Sequence, residues 1–148
     1  MIPFCRTVEE GKKVLDLMRK FELRQHQDGL RVYVMCEIPS NVVLAEDFLK
    51  MYDGYSIGSN DLTQCLLGVD RDNAKIAYIA DERNKTVKEM VSRVIKACRK
   101  KKKYSGICGQ APSDFPEFAK FLQKEGIESI SLNSDTVIKT ILSLAKTK

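Results

Sequence analysis

The chain has 148 residues and a mass of 16.8 kDa, with 43% hydrophobic and 30% charged side chains. That is the size and usage of one globular domain, and it excludes an intrinsically disordered chain. Of 25 basic residues set against 20 acidic ones, five form the single run Arg99-Lys100-Lys101-Lys102-Lys103, without which the charges balance; a distributed basic stripe for nucleic acid is therefore absent, and a solvated helix end is expected.

In chain order, residues 2–5 read as a short strand. Thr7 and Glu10 have capping-box spacing and start a helix with Val14, Leu17, Met18 and Phe21 on one face. Gly29 ends the link to a second strand over residues 30–36, stopped by Pro39. Ser40 or Asn41 then caps a helix carrying Val43, Leu44, Phe48, Leu49 and Met51. Gly54 opens a third strand, Tyr55-Ser56-Ile57, which ends in a turn at Gly58-Ser59-Asn60-Asp61 before a short apolar segment closed by Gly68. A polar connection over residues 70–84 precedes a helix over 85–102, whose Val87, Met90, Val91, Val94, Ile95 and Cys98 hold helical spacing. Its basic end suits the helix dipole. A fourth strand over 104–108, a helix over 113–124 stopped by Gly126, and a fifth strand over 129–132 follow. The last helix is expected over 134–146, capped by Asn133 or Ser134, with Val137, Ile138, Ile141, Leu142 and Leu144 inward.

Alternating strands and helices imply βα units, a parallel sheet and an α/β fold. Five such units account for residues 1–148 as a single domain, whereas a complete (β/α)8 barrel takes about 250 residues. The expectation is an open five-stranded sheet or part of a barrel. No apolar run reaches the roughly 18 residues that span a bilayer, and Met1 to Arg6 has neither the basic nor the apolar region of a secretory leader. A cytoplasmic protein with no membrane contact is expected.

The five cysteines, Cys5, Cys36, Cys65, Cys98 and Cys108, form no CxxC pair or zinc-type spacing and read as reduced thiols. The one histidine, His26, lies in a polar loop, which disfavours a Ser-His-Asp or Cys-His engine. Three successive strands instead end in a reactive group: Glu37, Asp61 and Cys108. Strand carboxyl ends are where barrel and open α/β enzymes keep their sites. Two carboxylates brought together there suit Mg²⁺, although acidic residues after strands are as often caps or surface groups. Gly58-Ser59-Asn60 offers donors for a carboxylate or phosphate oxygen, yet turns use the same residues. Cys108 has small neighbours, Gly106 and Gly109, and a thiol suits acid/base work, while an inert buried thiol is the commoner fate.

The sequence resembles the phosphoenolpyruvate-utilising enzymes. The resemblance is carried, in family order and with no large gap, by Met1-Ile2-Pro3-Phe4, Met35-Cys36-Glu37-Ile38-Pro39-Ser40-Asn41, Ser56 to Gln64, Asp70-Arg71-Asp72, Asp81-Glu82-Arg83-Asn84, Gly106-Ile107-Cys108-Gly109-Gln110 and Ser131-Leu132-Asn133. It implies strands four to eight of a (β/α)8 barrel that binds pyruvate or phosphoenolpyruvate with Mg²⁺. By the same resemblance Glu37 and Asp61 ligate the metal, and Asn60 with Gly58 and Ser59 holds substrate oxygens. Cys108 exchanges the proton at the methyl or methylene carbon. The implied reaction phosphorylates pyruvate with ATP and water through a phosphohistidine, on ATP-binding and phosphohistidine domains that this chain lacks. The arginines that grip the substrate phosphate lie on the missing strands, leaving Arg6 as one cation near the site. Ser134 stands where the family usually has proline. An alternative is a stand-alone, non-catalytic half-barrel whose exposed edges drive binding to a partner or homo-oligomerisation.

Overall fold

The computed structural model describes residues 1–145. Four parallel strands, β1 (Tyr33–Cys36), β2 (Gly54–Gly58), β3 (Tyr104–Cys108) and β4 (Ser129–Ile130), pair in chain order. The helices are α1 (Val8–Lys20), α2 (Pro39–Val43), α3 (Ala45–Phe48), α4 (Ser59–Leu67), α5 (Lys85–Lys101), α6 (Ala111–Asp114), α7 (Pro116–Glu125) and α8 (Val137–Ala145). A doubly wound sheet reverses its strand order, whereas the wall of a barrel keeps chain order, as here. The fold is α/β, a partial (β/α)8 barrel.

The first of the five units is reduced to a single parallel bridge between Ile2 and Val34. The strand expected over 2–5 ends there because Phe4 takes φ 47°, a left-handed conformation that no strand accommodates. Phe4 instead turns its N–H to Glu37 Oε2 at 2.9 Å.

α1 starts as its spacing predicts, with Thr7 Oγ1 accepting from the Glu10 N–H at 3.1 Å. Its inward face is Gly11 and Leu15, while Leu17 and Phe21 are exposed. Gly11 decides this rotation. Without a side chain it lets Tyr52 close in, the tyrosine hydroxyl donating to the Gly11 carbonyl at 3.1 Å. The helix expected over 113–124 is broken into α6 and α7 at Phe115 (φ −124°, ψ 99°), because Pro116 bars its predecessor from helical conformation.

α8 begins three residues later than expected, after a turn in which the Thr136 N–H and hydroxyl both donate to the Asn133 carbonyl at 2.9 Å. Its expected end at Lys146 lies outside the described residues. Ile138, Ile141 and Leu142, expected inward, are 69%, 55% and 58% exposed. The reason is the sheet: β4 pairs through only two residues, and among the described residues no strand follows for α8 to cover.

The core lies between sheet and helices. Val87, Val91, Val94, Ile95 and Cys98 of α5 face Tyr55 and Ile57 of β2, Ile107 of β3 and Phe118 and Leu122 of α7. The basic run is partly pinned: Lys100 and Lys101 pair with Glu46 at 2.6 and 3.1 Å, and Arg99 donates to the Glu125 carbonyl at 3.0 Å. No helix among the described residues is long and apolar enough to cross a membrane.

Candidate active site at the carboxyl ends of the strands

Register assembles the site. Cys36 of β1 is level with Ile57 of β2, and Gly58 of β2 with Cys108 of β3. Glu37, Gly58 and Cys108 therefore form one row across three adjacent strand ends. Gly58 must be glycine, since a Cβ there would meet Glu37 Cγ at 2.7 Å and Glu37 Oε1 at 2.9 Å. Glu37 is only 5% exposed. Its carboxylate is held by the Phe4 N–H, and its backbone by Asn41, whose Oδ1 accepts from the Glu37 and Ile38 N–H groups at 3.2 and 3.3 Å. The Asn41 amide also donates to the Cys5 carbonyl at 2.7 Å, so one buried side chain ties the first strand segment to the loop carrying the glutamate.

Gly58 leads straight into α4. The expected turn at Gly58 to Asp61 is instead a helix start, with Ser59, Asn60 and Asp61 in the first turn. Two of them fasten to the neighbouring strand end: Ser59 Oγ donates to the Cys108 carbonyl at 3.3 Å, and Asn60 Oδ1 accepts from the Gln110 N–H at 3.1 Å. Asp61 is partly exposed and lies 3.7 Å from the Arg71 guanidinium. Arg6, expected beside the site, is an exposed partner of Glu10 at 3.0 Å. Arg71 is a further cation, beside Asp61. Its motif was visible in the sequence, but a polar connection gives no sign of where it folds back.

The Cys108 thiol is half-buried, with its Sγ 3.6 Å from the buried Ser56 Oγ of β2. Ser56 stood in a resemblance stretch but drew no role from the sequence, because a strand serine two residues before a glycine has no distinguishing pattern. Cys5, Cys36 and Cys98 belong to the core, where burial raises Cys5, lifts Cys36 far above the usual range and raises Cys98 to about 12; burial also raises the half-buried Cys65. His26 pairs with Asp53 at 3.3 Å at the opposite, amino end of the strands.

Glu82, in the connection before α5, also escaped notice as a site residue. It is 8% exposed, and its Oε2 accepts from the Ala111 N–H at 3.0 Å. Burial, chiefly, raises its pKa from the ordinary carboxylate value, reinforced by Asp114 and Asp81 and opposed by the nearby Ser59 hydroxyl and the Ala111 N–H.

Among the described residues no three His, Cys, Asp or Glu side chains form a complete protein cage. Glu37 and Asp61 offer hard carboxylate oxygens at adjacent strand ends, and Mg²⁺ binds through one or two carboxylates with water and substrate oxygens completing its shell.

A family model described as "PEP-utilising enzyme, PEP-binding domain" matches residues 1–148. The phosphoenolpyruvate synthase of Helicobacter pylori is 58% identical over 146 residues, covering 99% of this chain and 18% of that protein. The synthase of Escherichia coli is 53% identical over 148 residues, covering 100% of this chain and 19% of that protein. The chain thus spans less than a fifth of the length of these relatives. Among solved structures, an aldolase/citrate lyase family protein from Burkholderia cenocepacia superimposes with TM-score 0.65 at 16% identity, covering 97% of this chain and 62% of that one. A citrate lyase from Burkholderia xenovorans gives 0.66 at 13% identity, covering 96% of this chain and 47% of that one. These two likenesses concern the fold alone.

Proposed function

The chain belongs to the PEP-utilising enzymes, as their PEP-binding domain, and from that membership we propose that it forms the pyruvate- and phosphoenolpyruvate-binding part of a phosphoenolpyruvate synthase. ATP-binding and phosphohistidine domains outside this chain deliver the phosphoryl group, and this chain holds its three-carbon acceptor. The observation that carries the reading is the row of Glu37, Gly58 and Cys108 set by strand register.

On this reading the Cys108 sulfur, as thiolate, takes a proton from the methyl carbon of pyruvate, and the enolate oxygen attacks the phosphohistidine phosphorus as the P–N bond breaks. In reverse the thiol protonates the methylene carbon. The Ser56 hydroxyl at 3.6 Å orients the thiol. Gly58, Ser59 and Asn60 bind substrate oxygens, and Arg71 adds positive charge at the rim. Glu37 and Asp61 would hold Mg²⁺, which when bound supplies charge against that developing on the substrate oxygens.

The test uses the chain joined to its ATP-binding and phosphohistidine domains. Cys108→Ser is expected to abolish phosphoenolpyruvate formation while the histidine is still phosphorylated; unchanged turnover would sink the assignment. A second reading rests on the exposed apolar face of α8 and the two-residue edge β4: a free-standing half-barrel that covers these surfaces by binding itself or a partner. A monomer in light scattering at high concentration removes it.

A further inference from the structure

Each residue of Asp81-Glu82-Arg83-Asn84 has a visible structural task except for one oxygen of Glu82. Asp81 accepts from the Arg83 N–H at 2.8 Å and pairs with the Arg83 guanidinium at 2.9 Å. That guanidinium lies 3.9 Å from the centre of the Phe115 ring. Asn84 Oδ1 caps α5 by accepting from the Thr86 N–H at 2.8 Å. These anchors fix the segment over α6 and drive the Glu82 side chain inward, where Oε2 takes the Ala111 N–H and Oε1 is buried with no hydrogen-bond partner.

The surroundings of Oε1 are specific. A Cβ built on Gly109 would lie 2.0 Å from Ser59 Oγ, 2.7 Å from Asn60 Oδ1 and 3.0 Å from Glu82 Oε1, so three oxygens from two chain segments, the start of α4 and the connection before α5, converge on the residue after Cys108. Asn60 Oδ1 already accepts from Gln110. The single Ser59 hydroxyl proton has two claimants, the Cys108 carbonyl at 3.3 Å and the Glu82 carboxyl. An orphan oxygen among acceptors is satisfied when it carries a proton of its own.

We propose that Glu82 is a positioning residue: it bridges the start of α4 to the loop after β3 and so fixes Cys108 opposite Asn60. It touches neither substrate nor metal. It acts through the Ala111 amide and the Ser59 hydroxyl, and its catalytic consequence rests on the function proposed above for Cys108.

The hold on the thiol is measured without catalysis, by peptide-resolved alkylation of this chain with iodoacetamide. Glu82→Ala is expected to speed alkylation of Cys108 roughly tenfold, the effect of losing one well-formed buried contact. Glu82→Gln, which keeps the shape and supplies N–H donors towards Ser59 and Asn60, is expected to restore the slow rate. Cys65, equally accessible in class but on α4's far turn, is the control. An unchanged Cys108 rate in Glu82→Ala overturns the proposal, as does equal acceleration of Cys65 and Cys108, which marks general loosening. In the joined enzyme Glu82→Ala is expected to lower kcat with little change in KM for pyruvate, with Glu82→Gln recovering it. If Cys108→Ser leaves turnover intact, the catalytic reading fails while the alkylation result still decides the positioning role.

Discussion

At the scale of single residues the site depends on two glycines that act by what they lack. Gly58→Ala places a methyl 2.7 Å from Glu37 Cγ and is expected to cost about 1–3 kcal/mol while turning the carboxylate out of its row. Gly109→Ala is expected to be worse, because its φ of 151° and the Ser59 Oγ at 2.0 Å oppose the same methyl. Urea denaturation of both variants checks the order; equal stabilities would contradict it. Glu82 adds a pH signature. Its folded pKa lies above the unfolded value, so the native state binds more protons, and its contribution is fully present below the unfolded carboxylate pKa and lost as pH rises through the folded one. Glu82→Gln is expected to remove that component and flatten thermal stability above the carboxylate range. Glu37, Asp61 and Cys108 were legible as residues at strand ends. Ser56, Arg71 and Glu82 stood in motifs of the resemblance without a role, since nothing local distinguishes a strand serine or a loop charge that reaches the site from ones that do not.

At the scale of elements, β2, β3, α1 and α5 were readable because β-branched alternation, capping residues and 3.6-residue spacing are local signals. The elements that differ were altered by a neighbour. Phe4 leaves its strand to bond Glu37, Pro116 divides α6 from α7, and the segment after Gly58 becomes α4 because its hydroxyl and amide find partners on the β3 loop. Asn41 is the most consequential link between elements. Asn41→Ala leaves the Glu37 N–H and the Cys5 carbonyl buried without partners and is expected to cost about 3 kcal/mol, with unfolding midpoints as the check. A loss below about 1 kcal/mol would show that water reaches these groups.

At the scale of the whole molecule, a barrel wall is an unfinished surface. The apolar groove between β4, α7 and α8, about 380 Å³ and lined by Ile127, Ile130, Val137 and Ile141, lies away from Cys108 and marks the open side. On the second reading proposed above, replacing Ile138, Ile141 and Leu142 together with Ser is expected to reduce self-association in light scattering without lowering the melting temperature, because these side chains bury little within the chain. A large drop in melting temperature would instead place them in the core.

The amino-acid sequence by itself determined the alternation of strands and helices, the α/β class and the family's motifs at three strand ends, because periodicity, capping and short motifs are written in neighbouring residues. Only the tertiary structure decided the register that puts Glu37, Gly58 and Cys108 in one row, the approach of Arg71 to Asp61 and of Glu82 to Ala111, and the outward face of α8. Those outcomes depend on contacts between residues tens of positions apart and on which surfaces a half-barrel leaves uncovered, and no local pattern encodes either.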